Sequence, residues 1–291
     1  MNRVAIATVL AVVALFSYNA ATAAEWEKSV DMSLALTQSS YNNHWTGGEA
    51  GSVNWIANAN SQFTGKLSPK FTWDNTIKLA FGQSHIQDKE TKHWAKPEKS
   101  ADRIYLESVG RFNLDAIVNP YAAATFESQF ADNSVPGVTR YVNPFTLTES
   151  VGIIKVFSDT TYLTFITRLG VALRQYSNNA VVDTAAGTTK RSTSNSGGLE
   201  WVTNFSSTFA QDKMKYETQL RTFVAFFRSD SDKLGNNDWK TPHLAWEHTL
   251  SASVTKIIQV QLFVEMLYDK DISHAFRIRE TLSLGLTYKL F

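Results

Sequence analysis

Residues 258–268 run Ile-Gln-Val-Gln-Leu-Phe-Val-Glu-Met-Leu-Tyr. Ile258, Val260, Leu262, Val264, Met266 and Tyr268 fall on one side of an extended chain, and Gln259, Gln261 and Glu265 on the other. Side chains alternate across a strand, so this stretch reads as a strand with one apolar and one polar face. The period recurs along the chain. Val53, Trp55, Ala57, Ala59 and Phe63 oppose Asn54, Asn58, Asn60 and Gln62. Trp73, Ile77, Leu79 and Phe81 oppose Asp74, Thr76 and Lys78. Ile104, Leu106, Phe112 and Leu114 oppose Arg103, Glu107, Arg111 and Asn113, and Leu163, Phe165, Leu169, Val171 and Leu173 oppose Thr164, Arg168 and Arg174. No stretch carries a helical stripe.

The pattern predicts twelve strands at 30–40, 51–65, 70–84, 101–114, 119–131, 143–156, 160–175, 196–210, 213–227, 242–254, 257–268 and 275–291. Their connections alternate. Those near 66–69, 115–118, 157–159, 211–212 and 255–257 are short; those near 41–50, 85–100, 132–142, 176–195, 228–241 and 269–274 are mostly longer and polar. Most of these strands are well beyond the ~5–6 residues usual in soluble sheets. They suit the ~9–11 residues that cross a bilayer at a tilt, with a protruding remainder. A soluble sandwich could share the alternation, but not the length or the alternating connections. The expected fold is therefore all-β: a transmembrane antiparallel up-and-down β-barrel of about 12 strands, with both termini at the short-turn, periplasmic end. Trp26, Trp55, Trp73, Trp201 and Trp246 fall where interfacial girdle residues would.

Composition fits this class. The 291 residues include 8 Trp, 10 Tyr and 18 Phe, and only 19% are charged, below the ~25% of soluble domains. The absence of cysteine rules out a disulfide framework, a thiol nucleophile and Cys-based metal sites. A net charge of +1 argues against a nucleic-acid partner. Residues 1–24 combine Arg3, the apolar run Val4–Phe16 and the small-residue site Ala21-Thr22-Ala23. That is the form of a cleaved secretory signal peptide, and the run is too short for the ~20 residues of a spanning helix. The expected division is a signal peptide at 1–24 and a barrel at 25–291. The chain ends Leu282, Leu284, Leu286, Tyr288, Leu290, Phe291. An alternating apolar strand with a terminal aromatic resembles the signal read by the barrel-assembly machinery, although Phe291 falls on the opposite face from Tyr288.

Several motifs carry a family resemblance. Trp45-Thr46-Gly47-Gly48 is followed by Trp73-Asp74-Asn75-Thr76 with Leu79 and Gly82. Lys99 to Asp102 then leads into Ile104, Leu106 and Ser108. Phe126-Glu127-Ser128-Gln129-Phe130 and Asn143-Pro144-Phe145 with Gly152 complete the set. In this order and spacing, over residues 45–152, they resemble a Bacteroidetes-type outer-membrane family labelled domain of unknown function 3078. The resemblance implies a barrel and supplies no activity.

Chemistry must therefore be read from the residues. None of the six histidines, His44, His85, His93, His243, His248 and His274, is followed two residues later by Ser. The His-x-Ser pair of barrel acyl hydrolases, which sets imidazole and hydroxyl on one strand face, is thus missing. The histidines also lack the spacing of a local metal site, so neither enzymatic activity, cofactor nor metal is expected. Charge on a lipid-facing strand position costs up to ~2–4 kcal/mol, which assigns the charged positions of the polar face to the lumen. Arg103, Glu107, Arg111, Glu127, Gln129 and Arg168 come from the first half of this set, and Glu200, Glu217, Arg221, Glu247, Glu265 and Arg279 from the second. Counting from the short turns sets Glu107 opposite Glu127 and Glu247 opposite Glu265, and such pairs need arginines or a shared proton. Segments 85–100 and 176–195 are the candidates for a loop folding inward. The expectation is a monomeric bacterial outer-membrane barrel, contacting lipid and lipopolysaccharide, that passes small polar solutes. The alternative is a closed structural or binding barrel acting through its surface loops.

Overall fold

The computed structural model describes residues 25–41, 50–234 and 236–289. The signal-peptide expectation, the Trp45-Thr46-Gly47-Gly48 motif and the final two residues lie outside these. Twelve strands form one closed antiparallel barrel. They are β1 (Glu25–Ser39), β2 (Ser52–Ser68), β3 (Phe71–Ile86), β4 (Glu98–Phe112), β5 (Asn119–Ser128), β8 (Phe145–Asp159), β9 (Leu163–Asp183), β10 (Thr188–Phe209), β11 (Met214–Arg228), β12 (His243–Ser253), β13 (Ile258–Asp269) and β14 (Ser273–Lys289). Each pairs with the next in chain order, and β1 pairs with β14 from Asp31↔Lys289 to Ala35↔Gly285, which leaves no free edge. Between β5 and β8 a separate hairpin, β6 (Ala131–Val135) and β7 (Val138–Tyr141), stands at the long-loop end.

Two stretches expected as loops are strand. Segment 132–142 holds the β6–β7 hairpin, and 176–195 is mostly the continuation of β9 and β10, joined at 184–187. The chain there is exposed from Val182 to Thr193. A ladder with water on both sides needs no apolar face, so alternation could not reveal it.

The barrel is apolar outside and polar inside. Leu34 on β1, Val151 on β8, Val171 on β9 and Leu282 and Leu284 on β14 are 49–70% exposed. Glu107, Arg168, Glu200 and Arg221 are buried at 8% exposure or less. A water-facing protein would show the reverse, so the outer wall is a lipid-facing surface. The hydrocarbon of a bilayer cannot accept a hydrogen bond from an indole N–H. Outward tryptophans accordingly donate to hydroxyls on the neighbouring strand: Trp73 to Ser108 (2.7 Å), Trp201 to Thr167 (2.9 Å) and Trp246 to Thr218 (2.9 Å).

Inside, one transverse row explains a pair of glycines. Tyr121, Gly152, Gly170 and Glu200 follow one another across β5, β8, β9 and β10. A Cβ on Gly170 would run into the Val151 carbonyl and come within 2.5 Å of the Tyr121 hydroxyl. The missing side chains leave the space that the buried Tyr121 ring and Glu200 fill.

Candidate functional site

The lumen is divided lengthwise. Along β4, β5 and β8 to β11 it is packed. Tyr105 is fully buried, Glu200 and Val202 are 1% exposed, and Tyr121, Arg168 and Ile154 are 3% exposed. Strand order brings charges from distant sequence positions into this half. Arg168 on β9 pairs with Glu107 on β4. Arg221 on β11 donates to the Tyr105 hydroxyl, pairs with Glu127 at 3.1 Å, and lies 3.7 Å from Glu107 and 4.0 Å from Glu200. Arg174 lies over the Phe223 ring, 4.1 Å from its centre. Two carboxylates, Glu107 and Glu200, and three guanidiniums thus share one buried block that bridges β4–β5 and β9–β11, with Glu127, its side chain 39% exposed, at the edge.

Along β12 to β14 and β1 to β3 the lumen is open. A cavity of about 480 Å³ runs there from the short-turn end, beside Tyr162 and Lys213, up to Ala80 and Arg103. Its wall is largely hydroxyl and amide: Ser33, Asn60, Gln62, Ser251, Gln261 and Ser283 are typical. Several of the charges at its border are tied together. Arg103 and Lys78 both hold Glu247, the latter at 3.2 Å; Arg279 holds Glu265 at 2.9 Å; Lys215 holds Glu217 at 2.8 Å near the mouth.

The expected residues sort onto this frame. Glu107, Arg168, Glu200 and Arg221 belong to the packed block, with Glu127 at its edge; Arg103, Glu217, Glu247 and Arg279 line the cavity, and Glu265 is bound to Arg279. Arg111 sits near the short-turn end, bonded to Asp159 at 2.9 Å and 3.6 Å from Asp74. Gln129 is a correction. It lies beyond β5, where Lys99 donates to it at 2.6 Å and it donates to the Asn143 carbonyl at 2.6 Å, and so it braces the rim at the foot of the hairpin. The register expectations divide. Glu247 does face Glu265 across β12–β13. Glu107, however, faces Thr125, and Glu127 faces Tyr105. The turn 113–118, with Asp115 in a left-handed conformation, sets the strands two residues away from the count that paired the two glutamates.

The loop that folds inward is also a correction. Neither 85–100 nor 176–195 enters the barrel; the connection 229–242 does. A 3-10 turn at Asp238–Lys240 places Trp239, 7% exposed, against Ala172, Phe223 and Ala225 on the lumen face, with Leu234 beside it. Asp230 anchors the loop by accepting from Arg228 (2.7 Å) and Ser194 (2.7 Å), while Lys270 holds Asp238 at 2.9 Å. The hydrogen bond from Arg228 holds the Asp230 carboxyl below its ordinary range. Sequence reasoning missed this plug, although Leu234 and Trp239 are the two large apolar residues in an otherwise polar stretch. At the same end, strand pairing gathers His243, Asp269 and Asp271, which sequence spacing could not bring together. His243 is 3.3 Å from Asp269, and Arg228 already occupies Asp271.

Residues 36–133 match the model of a family described as protein of unknown function (DUF3078). No curated protein matches the chain. Among solved structures, an outer-membrane channel from Pseudomonas putida F1 is similar at 12% identity and a TM-score of 0.39, over 94% of this chain and 97% of that one. The translocator domain of the autotransporter NalP from Neisseria meningitidis gives 10% and 0.33 over 97% and 93%. OccK5 (OpdH) of Pseudomonas aeruginosa gives 7% and 0.29 over 91% and 98%.

Proposed function

We propose that the barrel is a narrow pore of the bacterial outer membrane, through which small polar solutes pass passively. The observation that carries this reading is the open half of the lumen: a largely hydroxyl- and amide-lined cavity that rises from the short-turn end to Ala80 and Arg103 beside a packed half. A barrel that served only as a rigid frame would gain from filling that space, because packed cores are more stable than wet cavities. Twelve strands fall between barrels of eight, which side chains fill, and barrels of 16–18, which leave wide channels. A half-filled lumen suits that intermediate size. In this reading the chain is a monomer whose apolar wall meets lipid and, in the outer leaflet, lipopolysaccharide. The barrel-assembly machinery inserts it, and it has no catalytic role.

Planar-bilayer recording of the purified barrel is the test. Discrete, small conductance steps are expected, well below those of wide porins. A barrel that inserts without conducting would leave the second reading, a closed barrel working through its surface loops. The observation favouring that reading is Trp239 seated in the long-loop mouth.

A further inference from the structure

We infer that the open half of the lumen is a binding and permeation site for neutral polyhydroxylated solutes, sugars of one or two rings. The inference rests on the pore reading and names its solute class. Charge is the first argument. Lys78 and Arg103 converge on Glu247, and Arg279 holds Glu265. The wall's cations, Lys78, Arg103, Lys213, Lys215 and Arg279, are matched in number by Asp31, Asp212, Glu217, Glu247 and the Arg279-bound Glu265, so the path carries little net charge and little to select ions of either sign.

The second argument is the donor and acceptor pattern. Asn58 and Asn60 on β2, Gln259 and Gln261 on β13, and Thr281 and Ser283 on β14 all face the cavity. Each pair is spaced i, i+2, so its members lie roughly 7 Å apart along a strand, and neighbouring strands are roughly 4.8 Å apart. Hydroxyls and amides both donate and accept. The wall is thus a grid of dual-character groups, which is what a ring of hydroxyls requires and an ion or an apolar solute does not. The cavity volume of about 480 Å³ falls in the ~300–1,000 Å³ range of small-molecule sites.

The third is Phe263. It breaks the polar face of β13, standing between Thr249 and Thr281 on the adjacent strands and lining the cavity. An aromatic ring on a wet wall loses by its contact with water unless something covers it. Arg279 lies 5.4 Å from the ring centre and covers it only in part. The C–H face of a sugar ring is the cover that also offers hydroxyls to the surrounding amides.

The test combines conductance in KCl, titrated with glucose and maltose, with swelling of liposomes in glucose against gluconate. Reversible sugar block and faster swelling in glucose are expected. Phe263→Ala should weaken the block about fivefold, the worth of one stacked ring, and Phe263→Tyr should restore it. A barrel that conducts KCl but shows neither block nor a preference for glucose overturns the inference and leaves the pore reading standing. A barrel that neither conducts nor swells overturns the pore reading. Saturation transfer from the detergent-solubilised barrel to glucose then decides the site: transfer lost in Phe263→Ala retains it, and no transfer removes it.

Discussion

Glu107 holds together the packed half of the lumen, receiving Arg168 and lying within reach of Arg221. Glu107→Gln removes a charge and leaves both guanidiniums without their shared counter-ion in a dry block. Breaking a buried pair from one side costs about 3–5 kcal/mol, and urea unfolding in micelles should show a loss of that order. Gly170→Ala tests packing in the same row. Its new Cβ would meet the Val151 carbonyl and the Tyr121 hydroxyl, and overpacking of this kind costs about 1–3 kcal/mol. An unchanged unfolding midpoint would show that the strands part freely there. Residue-scale features were unevenly legible in the sequence. The polar face announced which charges point inward, because charge is excluded from lipid. Which charges meet was legible only where a turn fixes its own centre. The four-residue turn 254–257 does so, and Glu247 met Glu265; the six-residue turn 113–118 does not, and Glu107 was set against the wrong partner.

At the scale of elements, the connection 229–242 is the part most able to change the pore. Trp239 fills the mouth between β9 and β11, and Asp230 is its anchor. Trp239→Ser should raise single-channel conductance, because the indole is the largest group the loop contributes to the mouth. The anchor has a pH sign. The folded-state pKa of Asp230 is held below the ordinary 3.8, chiefly by the Arg228 hydrogen bond. Its contribution is therefore complete above that ordinary value and is lost as pH falls through the lowered one. Conductance noise should be low at neutral pH and rise in that acid window. Asp230→Asn should show the acid behaviour already at pH 7; the same noise at both pH values in the native barrel would remove Asp230 as the anchor. The strands themselves were legible because period two is a local property. The plug was not, because two apolar residues in a polar loop define no period, and their partners Ala172 and Phe223 come from other strands.

Closure of the whole barrel was foreseeable from an even number of strands and alternating connection lengths. The division of the lumen was not, because it depends on side-chain size around a ring that only the closed sheet defines. Large groups such as Tyr105, Tyr121 and Arg168 gather on one arc, while Ser, Thr, Asn and Gln dominate the other. A chain with no cysteine of its own allows this division to be mapped directly. Single cysteines at Asn60 and Ser283 face the open half, and one at Val202, 1% exposed, lies in the packed half. A cationic methanethiosulfonate reagent added to the conducting barrel should modify Asn60→Cys and Ser283→Cys and step their conductance down, since each adduct narrows the cavity that these positions line. Val202→Cys should stay unmodified, its current unchanged, until the barrel is unfolded. Val202→Cys reacting as fast as Asn60→Cys would mean that water reaches both halves, so that the charged block is a wetted lining and not a wall.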